Sequence, residues 1–279
     1  MTVPRPLAIA GTIIGGLLLF LLLTVLFIPT GQLLGLANRQ LAPSGYSLEA
    51  ADLGKVLPLG LSARNLELRS DKGTLLKADV LTVRLQLLPL LTGRVRLGLS
   101  ARVGSGTLDG YATLTRGKEL RLDASGIRLE DIPFFDTVAG ARIKGNLQLH
   151  GTVKLAGAPT GSLQLEVEKA DLQGIKLGEM PLPDADFTKV QGMLRFAANR
   201  VTLESFSLQG TDLYVRLKGG MPLTAPISAA PLDLTLELMP KPAFMEKQKF
   251  IFLLLTKYLD TPGHYQIPIG GVLGKPLIR

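Results

Sequence analysis

Residues 143–155, IKGNLQLHGTVKL, decide the fold of this chain. Apolar or small residues occupy every odd position, and polar residues occupy every even position between them. Because side chains in a β-strand point alternately to its two faces, the pattern predicts a long strand with one apolar and one polar face. The apolar face comprises Ile143, Gly145, Leu147, Leu149, Gly151, Val153 and Leu155.

The same period of two recurs in residues 81–87, 95–103, 163–168 and 232–238. Short turn signals separate strand-like segments at residues 104–106, 116–118, 198–200 and 218–220. Strands joined by such turns pair as antiparallel neighbours, and the absence of alternating strands and helices disfavours a parallel sheet. We therefore predict an all-β domain formed by a long, twisted antiparallel meander of about a dozen strands.

The N-terminus predicts a membrane anchor. Residues 7–28, LAIAGTIIGGLLLFLLLTVLFI, contain no charge, and as a helix they would span roughly 33 Å, enough to cross a bilayer. A cleaved signal peptide is the alternative, but its apolar region is usually only about 7–15 residues long. Arg5 precedes the helix and Arg39 is the first charge after it, which places residues 1–6 in the cytoplasm. The predicted location is the bacterial inner membrane, with a single pass and most of the chain in the periplasm.

Two further segments have helical spacing. Residues 31–42 lie within a linker at 29–44 that leads from the anchor to a β-domain at 45–279. Residues 242–259 begin near Pro242 and predict an amphipathic helix that plugs or caps one end of the sheet. Residues 250–255 within this second segment are also compatible with a strand.

The apolar face is dominated by Leu and Val with few aromatic residues, and an exposed surface of that size must be covered. Either the sheet packs into a closed core, or it folds along its length into a trough that holds acyl chains. The alternation alone favours the packed core. The predicted lining residues are Leu81, Val83, Leu85, Val95, Leu97, Leu99, Ile143, Leu147, Leu149, Val153, Leu155, Leu163, Leu165, Val167, Leu232, Leu234 and Leu236.

Composition and motifs argue against catalysis, a metal site or a cofactor site. The chain has no Cys, and neither His150 nor His264 has a partner at metal-binding spacing. Asp184 and Asp186 are better explained as solvated residues of a Pro-rich loop than as cation ligands. The net charge of +8 comes from scattered residues, and Trp is absent, so a nucleic-acid partner is not predicted, whereas anionic lipid headgroups suit such a surface.

Three stretches resemble the AsmA-like superfamily. They are GYSL at residues 45–48, LPLLTGRV at residues 88–95 and GHYQIPIGGVLGKP at residues 263–276. The last stretch and the chain length are similar to the type II secretion system protein N (GspN) family of AsmA-like proteins. The resemblance implies a taco-shaped, incompletely closed sheet with short helices near its ends.

The resemblance also implies two alternative functions for a non-catalytic protein. The first is an accessory component of the type II secretion system that contacts other secretion components and takes part in protein export. The second is a lipid-transfer module that binds phospholipid in its groove and carries it between the inner and outer membranes.

Overall fold

The computed structural model describes residues 30–115, 117–177, 180–224 and 227–279. The predicted membrane helix at residues 7–28 lies outside these ranges. Within them, no helix is both long enough and apolar enough to cross a membrane.

The domain consists of eighteen strands and five short α-helices within the described ranges. The strands are β1 (Tyr46–Glu49), β2 (Asp52–Val56), β3 (Gly60–Ser70), β4 (Gly73–Leu85), β5 (Arg96–Val103), β6 (Gly106–Thr113), β7 (Glu119–Arg128), β8 (Arg142–Lys154), β9 (Thr160–Gln173), β10 (Lys176–Leu177), β11 (Met180–Pro181), β12 (Ala185–Ala197), β13 (Arg200–Gly210), β14 (Leu213–Pro222), β15 (Asp233–Pro240), β16 (Leu259–Thr261), β17 (His264–Val272) and β18 (Lys275–Ile278). The α-helices are α1 (Thr30–Leu41), α2 (Leu87–Leu90), α3 (Phe134–Ala139), α4 (Pro242–Lys247) and α5 (Lys249–Leu254). Single turns of 3₁₀-helix span Ala42–Ser44, Leu129–Asp131, Ile227–Ala229 and Thr256–Tyr258.

All strands except β10 and β11 belong to one open antiparallel sheet of sixteen strands. From β3 to β14 each strand pairs with its predecessor and successor, apart from the small β10–β11 hairpin, which lies off the sheet, and β15 pairs with β14 and β17. The predicted antiparallel meander is therefore confirmed. Each outer edge is split between two short strands, because β1 and β2 both pair with β3, and β16 and β18 both pair with β17.

Strand β8 confirms the prediction from residues 143–155. From Arg142 to His150 exposed polar side chains alternate with partly buried apolar or small residues, and Gly151 and Val153 are buried. Since directly opposed residues of antiparallel strands lie on the same face, this alternation is passed on to both neighbours.

The register aligns apolar residues across most of the sheet. One unbroken row joins twelve strands from β3 to β17, and at a strand spacing of about 4.8 Å it is about 50 Å long. The row consists of Leu61, Val83, Leu99, Gly110, Leu122, Gly151, Leu163, Leu194, Leu203, Gly219, Leu234 and Ile269. We call the side of the sheet that contains this row the apolar face, and the other side the polar face.

The turn predicted at residues 218–220 is wrong, because these residues lie inside β14. Gly219 has a φ of 117°, and a Cβ placed there would lie 2.9 Å from the Cα of Leu234 on the adjacent strand. The glycine therefore marks a close approach of two backbones and not a change of chain direction. The other three predicted turns do separate consecutive strands.

Both helical predictions are confirmed in outline. Residues 31–42 form most of α1 and the start of the following 3₁₀ turn. Residues 242–259 form α4, α5 and a 3₁₀ turn, broken at Gln248, so the alternative strand at residues 250–255 is wrong. The helical conformation of this segment directs the side chain of Leu255 into the core, where it is fully buried.

Gly151 offers a test of the packing between β8 and β9. A Cβ at this position would overlap the carbonyl oxygen of Ser162 and lie 2.7 Å from the Cα of Leu163. We expect Gly151→Ala to lower the free energy of unfolding by about 1–3 kcal/mol, measured by urea denaturation followed by circular dichroism. Gly54→Ala in β2 is the control, since nothing lies within 4 Å of its added methyl group. Equal stability of the two variants would contradict the close approach.

Candidate functional site

The apolar face is covered at its C-terminal end by α4, α5 and the 3₁₀ turn after them. We call this segment, residues 242–258, the plug. Its inner side buries Phe244, Phe252 and Leu255 against β12, β14, β15 and β17, within the largest core cluster. The ring centroids of Phe252 and Tyr265 are 5.4 Å apart, which is typical of packed aromatic side chains. This end of the face is therefore an ordinary closed core.

A second segment, residues 129–141, covers part of the apolar face near β7 and β8, where Leu129 is buried and Ile132 and Phe135 pack beside it. The remaining part of the face has no such cover within the described residues. Of the predicted lining residues, only Val153, Val167, Leu232 and Leu236 are buried. Most of the others are half-buried members of the apolar rows, and Leu155 lies one residue beyond β8 and is 45% exposed. Ile143, Leu147, Leu165 and Leu234 are half-buried because they pack beside the core cluster that contains the plug. No such cluster contains Leu81, Val83, Leu85, Leu97, Leu99 and Leu163, which remain half-buried on the open part of the face.

An apolar cavity of about 230 Å³ lies between α1 and the first four strands. Its lining residues are Leu34, Ala37, Leu48, Leu53, Leu61, Ser62, Ala63, Leu66, Leu81 and Val83. Ser62 is the single hydroxyl residue in this set, so the cavity offers almost no polar partner to water or to a polar ligand. The cavity and the open part of the apolar face share Leu61, Leu81 and Val83, which makes them one continuous surface.

Asn38 fixes α1 over this cavity. Its side-chain amide donates to the carbonyl oxygen of Leu48 at 2.9 Å, and its carboxamide oxygen accepts from the amide nitrogen of Leu48 at 2.6 Å. The side chain thus satisfies both backbone groups of an edge-strand residue in the way that a neighbouring strand would. The helix is therefore held at a defined position beside β1.

A small buried cluster lies midway along the apolar face. Ala78 of β4 packs with Val103, Ala124 and Ile127, although two strands lie between β4 and β7. The hydroxyl of Thr137 in α3 donates to the carbonyl oxygen of Thr74 at 2.9 Å. These contacts hold the segment after β7 against the start of β4, at one end of the strands.

The polar face contains paired charges typical of a solvated surface. Asp109, Asp123 and His150 are opposed on three adjacent strands, and the Asp123 carboxylate contacts both His150 and Arg121. Hydrogen bonding from Arg121, and then from His150, lowers the pKa of Asp123. The pKa of Tyr111 is raised because its hydroxyl donates to Glu119 at 2.6 Å.

The remaining candidate residues have structural surroundings. The carboxylate of Asp184 accepts from the amide nitrogen of Gly174 at 2.7 Å. His264 Nδ1 lies 3.3 Å from the Asp260 carboxylate, and its Nε2 is buried without a hydrogen-bond partner. In the part of the chain that the structure describes, no three His, Cys, Asp or Glu residues are arranged to hold a metal ion.

Comparison with protein-family models, with curated proteins and with solved structures finds no match to this chain. The structure does explain the residues behind the C-terminal resemblance. Tyr265, Ile267 and Ile269 alternate along β17 and are buried in the core, with exposed Gln266 and Pro268 between them. The alternation in this stretch therefore reflects how β17 packs in the core.

Sequence reasoning missed the cavity and the role of Asn38. The helical spacing of residues 31–42 was a signal for Leu34 and Ala37. Strands β1 and β2, with four and five residues, are too short to show a reliable period, so Leu48 and Leu53 could not be assigned.

Leu255 and Leu253 test whether the plug belongs to the core. They lie two residues apart, but Leu255 is fully buried and Leu253 is 63% exposed. We expect Leu255→Ala to lower the free energy of unfolding by about 2–5 kcal/mol, because it leaves a cavity in the core. Leu253→Ala, the control, should change it by less than about 0.5 kcal/mol. Urea denaturation measures both, and an unaffected Leu255→Ala protein would indicate a plug that detaches from the sheet.

Proposed function

We propose that this protein is an inner-membrane-anchored, non-catalytic periplasmic protein that binds the acyl chains of phospholipids along its apolar face. In this proposal the sheet bends along its length into a taco-shaped groove. The observation that supports it is the long row of half-buried aliphatic side chains, continuous with an apolar cavity beside α1. Such a surface in water is costly unless another apolar group covers it.

The chemistry of the lining suits acyl chains. Leu, Val and Gly give a smooth aliphatic surface with few hydrogen-bonding groups, and each methylene group that it buries contributes about 0.8 kcal/mol. An aliphatic surface without directional polar groups holds chains of different length and saturation almost equally. Selectivity for a headgroup would then depend on polar residues at the margins of the groove.

The position of the cavity suggests where lipid enters. Helix α1 begins at Thr30, two residues after the predicted membrane helix at residues 7–28, and it lines the cavity through Leu34 and Ala37. At the other end the plug occupies the apolar face. A lipid would therefore enter from the anchored end and would be stopped by the plug.

Photo-cross-linking in living cells tests this proposal with the full chain. We expect p-benzoylphenylalanine at apolar-face positions to cross-link to radiolabelled phospholipid, because acyl chains lie against them. The apolar-face positions are Val83, Leu99 and Leu163, and the matched controls are their polar-face neighbours Thr82, Ser100 and Gln164. Folded protein that gives no lipid adduct at the apolar positions, or equal adducts at both sets, would refute acyl-chain binding in the groove.

A cavity-filling variant adds a second control within the same assay. Ala37→Trp places an indole in the cavity and should reduce the adduct at Val83, whereas Gln40→Trp adds the same group to the exposed side of α1. Loss of the adduct in both variants would indicate damage to α1, and retention in both would mean that lipid does not enter through this cavity.

We also propose, as a second candidate, an accessory role in type II secretion. This role rests on the resemblance of residues 263–276 to the protein N family, and the polar face and sheet edges would supply contacts with other secretion components. Its gene should then lie among genes for a secretin, a traffic ATPase and pseudopilins, and deletion should reduce export of secreted enzymes. An isolated gene whose deletion leaves export unchanged would argue against this role.

A further inference from the structure

The two rims of the sheet differ in their connections. Because the strands are antiparallel, alternate connections lie at opposite strand ends. At one rim, which we call the leucine rim, the connections are residues 57–59, 86–95, 114–118, 155–159, 198–199, 223–232 and 273–274. At the opposite rim they are residues 71–72, 104–105, 129–141, 174–184, 211–212, 241–258 and 262–263.

Exposed aliphatic residues recur along the leucine rim. Every connection there except residues 198–199 contains at least one large aliphatic side chain that is between 42% and 79% exposed. They are Leu57, Leu88, Leu114, Leu155, Ile227 and Leu273, with Leu91 beside Leu88. Among the described residues, the short turns of the opposite rim, such as residues 71–72, 104–105 and 211–212, contain none. Within the described ranges, the other exposed apolar residues near that rim are Phe134, the outer side of the plug, Leu76 in β4 and Leu259 at the start of β16.

The charged residues in the connections also differ between the two rims. No connection of the leucine rim contains Asp or Glu, whereas Arg94 and Lys118 lie in its connections and Lys154 and Lys275 adjoin them. The nearest carboxylates, Glu119 and Asp233, begin strands, and Glu119 is engaged by the Tyr111 hydroxyl. The opposite rim contains acidic residues in five of its seven connections, namely Asp71, Glu130, Asp131, Asp136, Glu179, Asp184, Asp212 and Glu246. It also contains six lysines, Lys72, Lys176, Lys241, Lys247, Lys249 and Lys257, so its acidic and basic residues are mixed, whereas those of the leucine rim are basic only.

The N-terminal end of helix α1 points toward the leucine rim. It joins β1 through the turn at Ala42–Ser44, and Asn38 pairs with Leu48, so α1 runs antiparallel to β1 and to β2, which continues in the same direction. Strand β2 ends at Val56, immediately before Leu57 of the leucine rim. The N-terminus of α1 therefore lies on that side of the domain.

We infer that the leucine rim docks on the surface of an anionic phospholipid bilayer, the same membrane that holds the N-terminal anchor. Aliphatic side chains at the turn tips enter the interface, and the neighbouring Arg and Lys residues contact lipid phosphates. The sheet then lies lengthwise along the membrane and does not stand upright on its anchor. Leu85, Leu97 and Leu120 of the apolar face lie beside this rim, so docking brings the margin of the groove against the bilayer.

Single-cysteine labelling tests this orientation, because the chain has no native Cys. The full chain is reconstituted into vesicles of phosphatidylethanolamine and phosphatidylglycerol, and each new cysteine receives an environment-sensitive fluorophore. Rim variants are Leu57→Cys, Leu114→Cys, Leu155→Cys and Leu273→Cys. Controls at the opposite rim are Lys72→Cys, Ser105→Cys and Thr211→Cys. Quenching by nitroxide-labelled lipid and by aqueous iodide measures the environment of each label.

Docking predicts that all four rim labels shift to the blue and lose emission to the nitroxide lipid, while the three controls are quenched by iodide. Lipid quenching at Leu57 alone, with Leu155 and Leu273 in water, would mean an upright sheet and would overturn the proposal. A blue shift without lipid quenching would indicate contact between copies of the chain and would also overturn it.

Negative charges introduced at the rim sharpen the test. Leu114→Glu combined with Leu155→Glu should abolish lipid quenching of a label at Leu273, whereas Ser105→Glu should not; unchanged quenching in the double variant would contradict docking. Circular dichroism of each variant checks that the sheet is retained. Docking does not require acyl chains in the groove, so these results and the phospholipid cross-links at Val83, Leu99 and Leu163 succeed or fail independently.

Discussion

Inter-strand hydrogen bonding in a single antiparallel register underlies the rest of this structure. Each pairing places directly opposed residues on the same face, so the alternation of one strand constrains all of the others. Slipping one strand by a single residue would move its leucines to the polar face and its charges to the apolar face. The row from Leu61 to Ile269 is unbroken because every intervening pairing keeps this relation, including those next to β-bulges.

The apolar face is covered to a different extent along its length. Where the plug covers it, Leu255 and Ile267 are fully buried and the sheet gains an ordinary hydrophobic core. Nearer α1 and through the middle, the face is lined by half-buried aliphatic side chains and a cavity. The stability of the domain thus comes mainly from the C-terminal end and from strand pairing, and the remaining surface is the part to which the proposed function assigns acyl chains.

Much of this arrangement could be predicted from the sequence, since period-two alternation is a direct consequence of strand geometry. Strand β8, the antiparallel meander and the helical nature of residues 31–42 follow from local patterns. Residues 218–220 could not be assigned correctly, because a glycine that avoids a neighbouring backbone is indistinguishable in sequence from one that makes a turn. The cavity could not be foreseen either, since it depends on Asn38 pairing with a strand ten residues away. The choice between a packed core and an open trough was also beyond the sequence, because it depends on how far the plug extends over a face of uniform composition.

The outer edges of the sheet have a consequence for the length of the apolar face. Each edge is divided between two strands of three to five residues, and such short edges give little template for another chain to extend the sheet. End-to-end polymerisation through strand addition is therefore disfavoured, and the length of the apolar face is set by a single polypeptide. A longer relative of this architecture would have to gain hairpins inside the meander. Each new pair of strands would lengthen the apolar face by about 10 Å and leave α1 and the plug at its two ends.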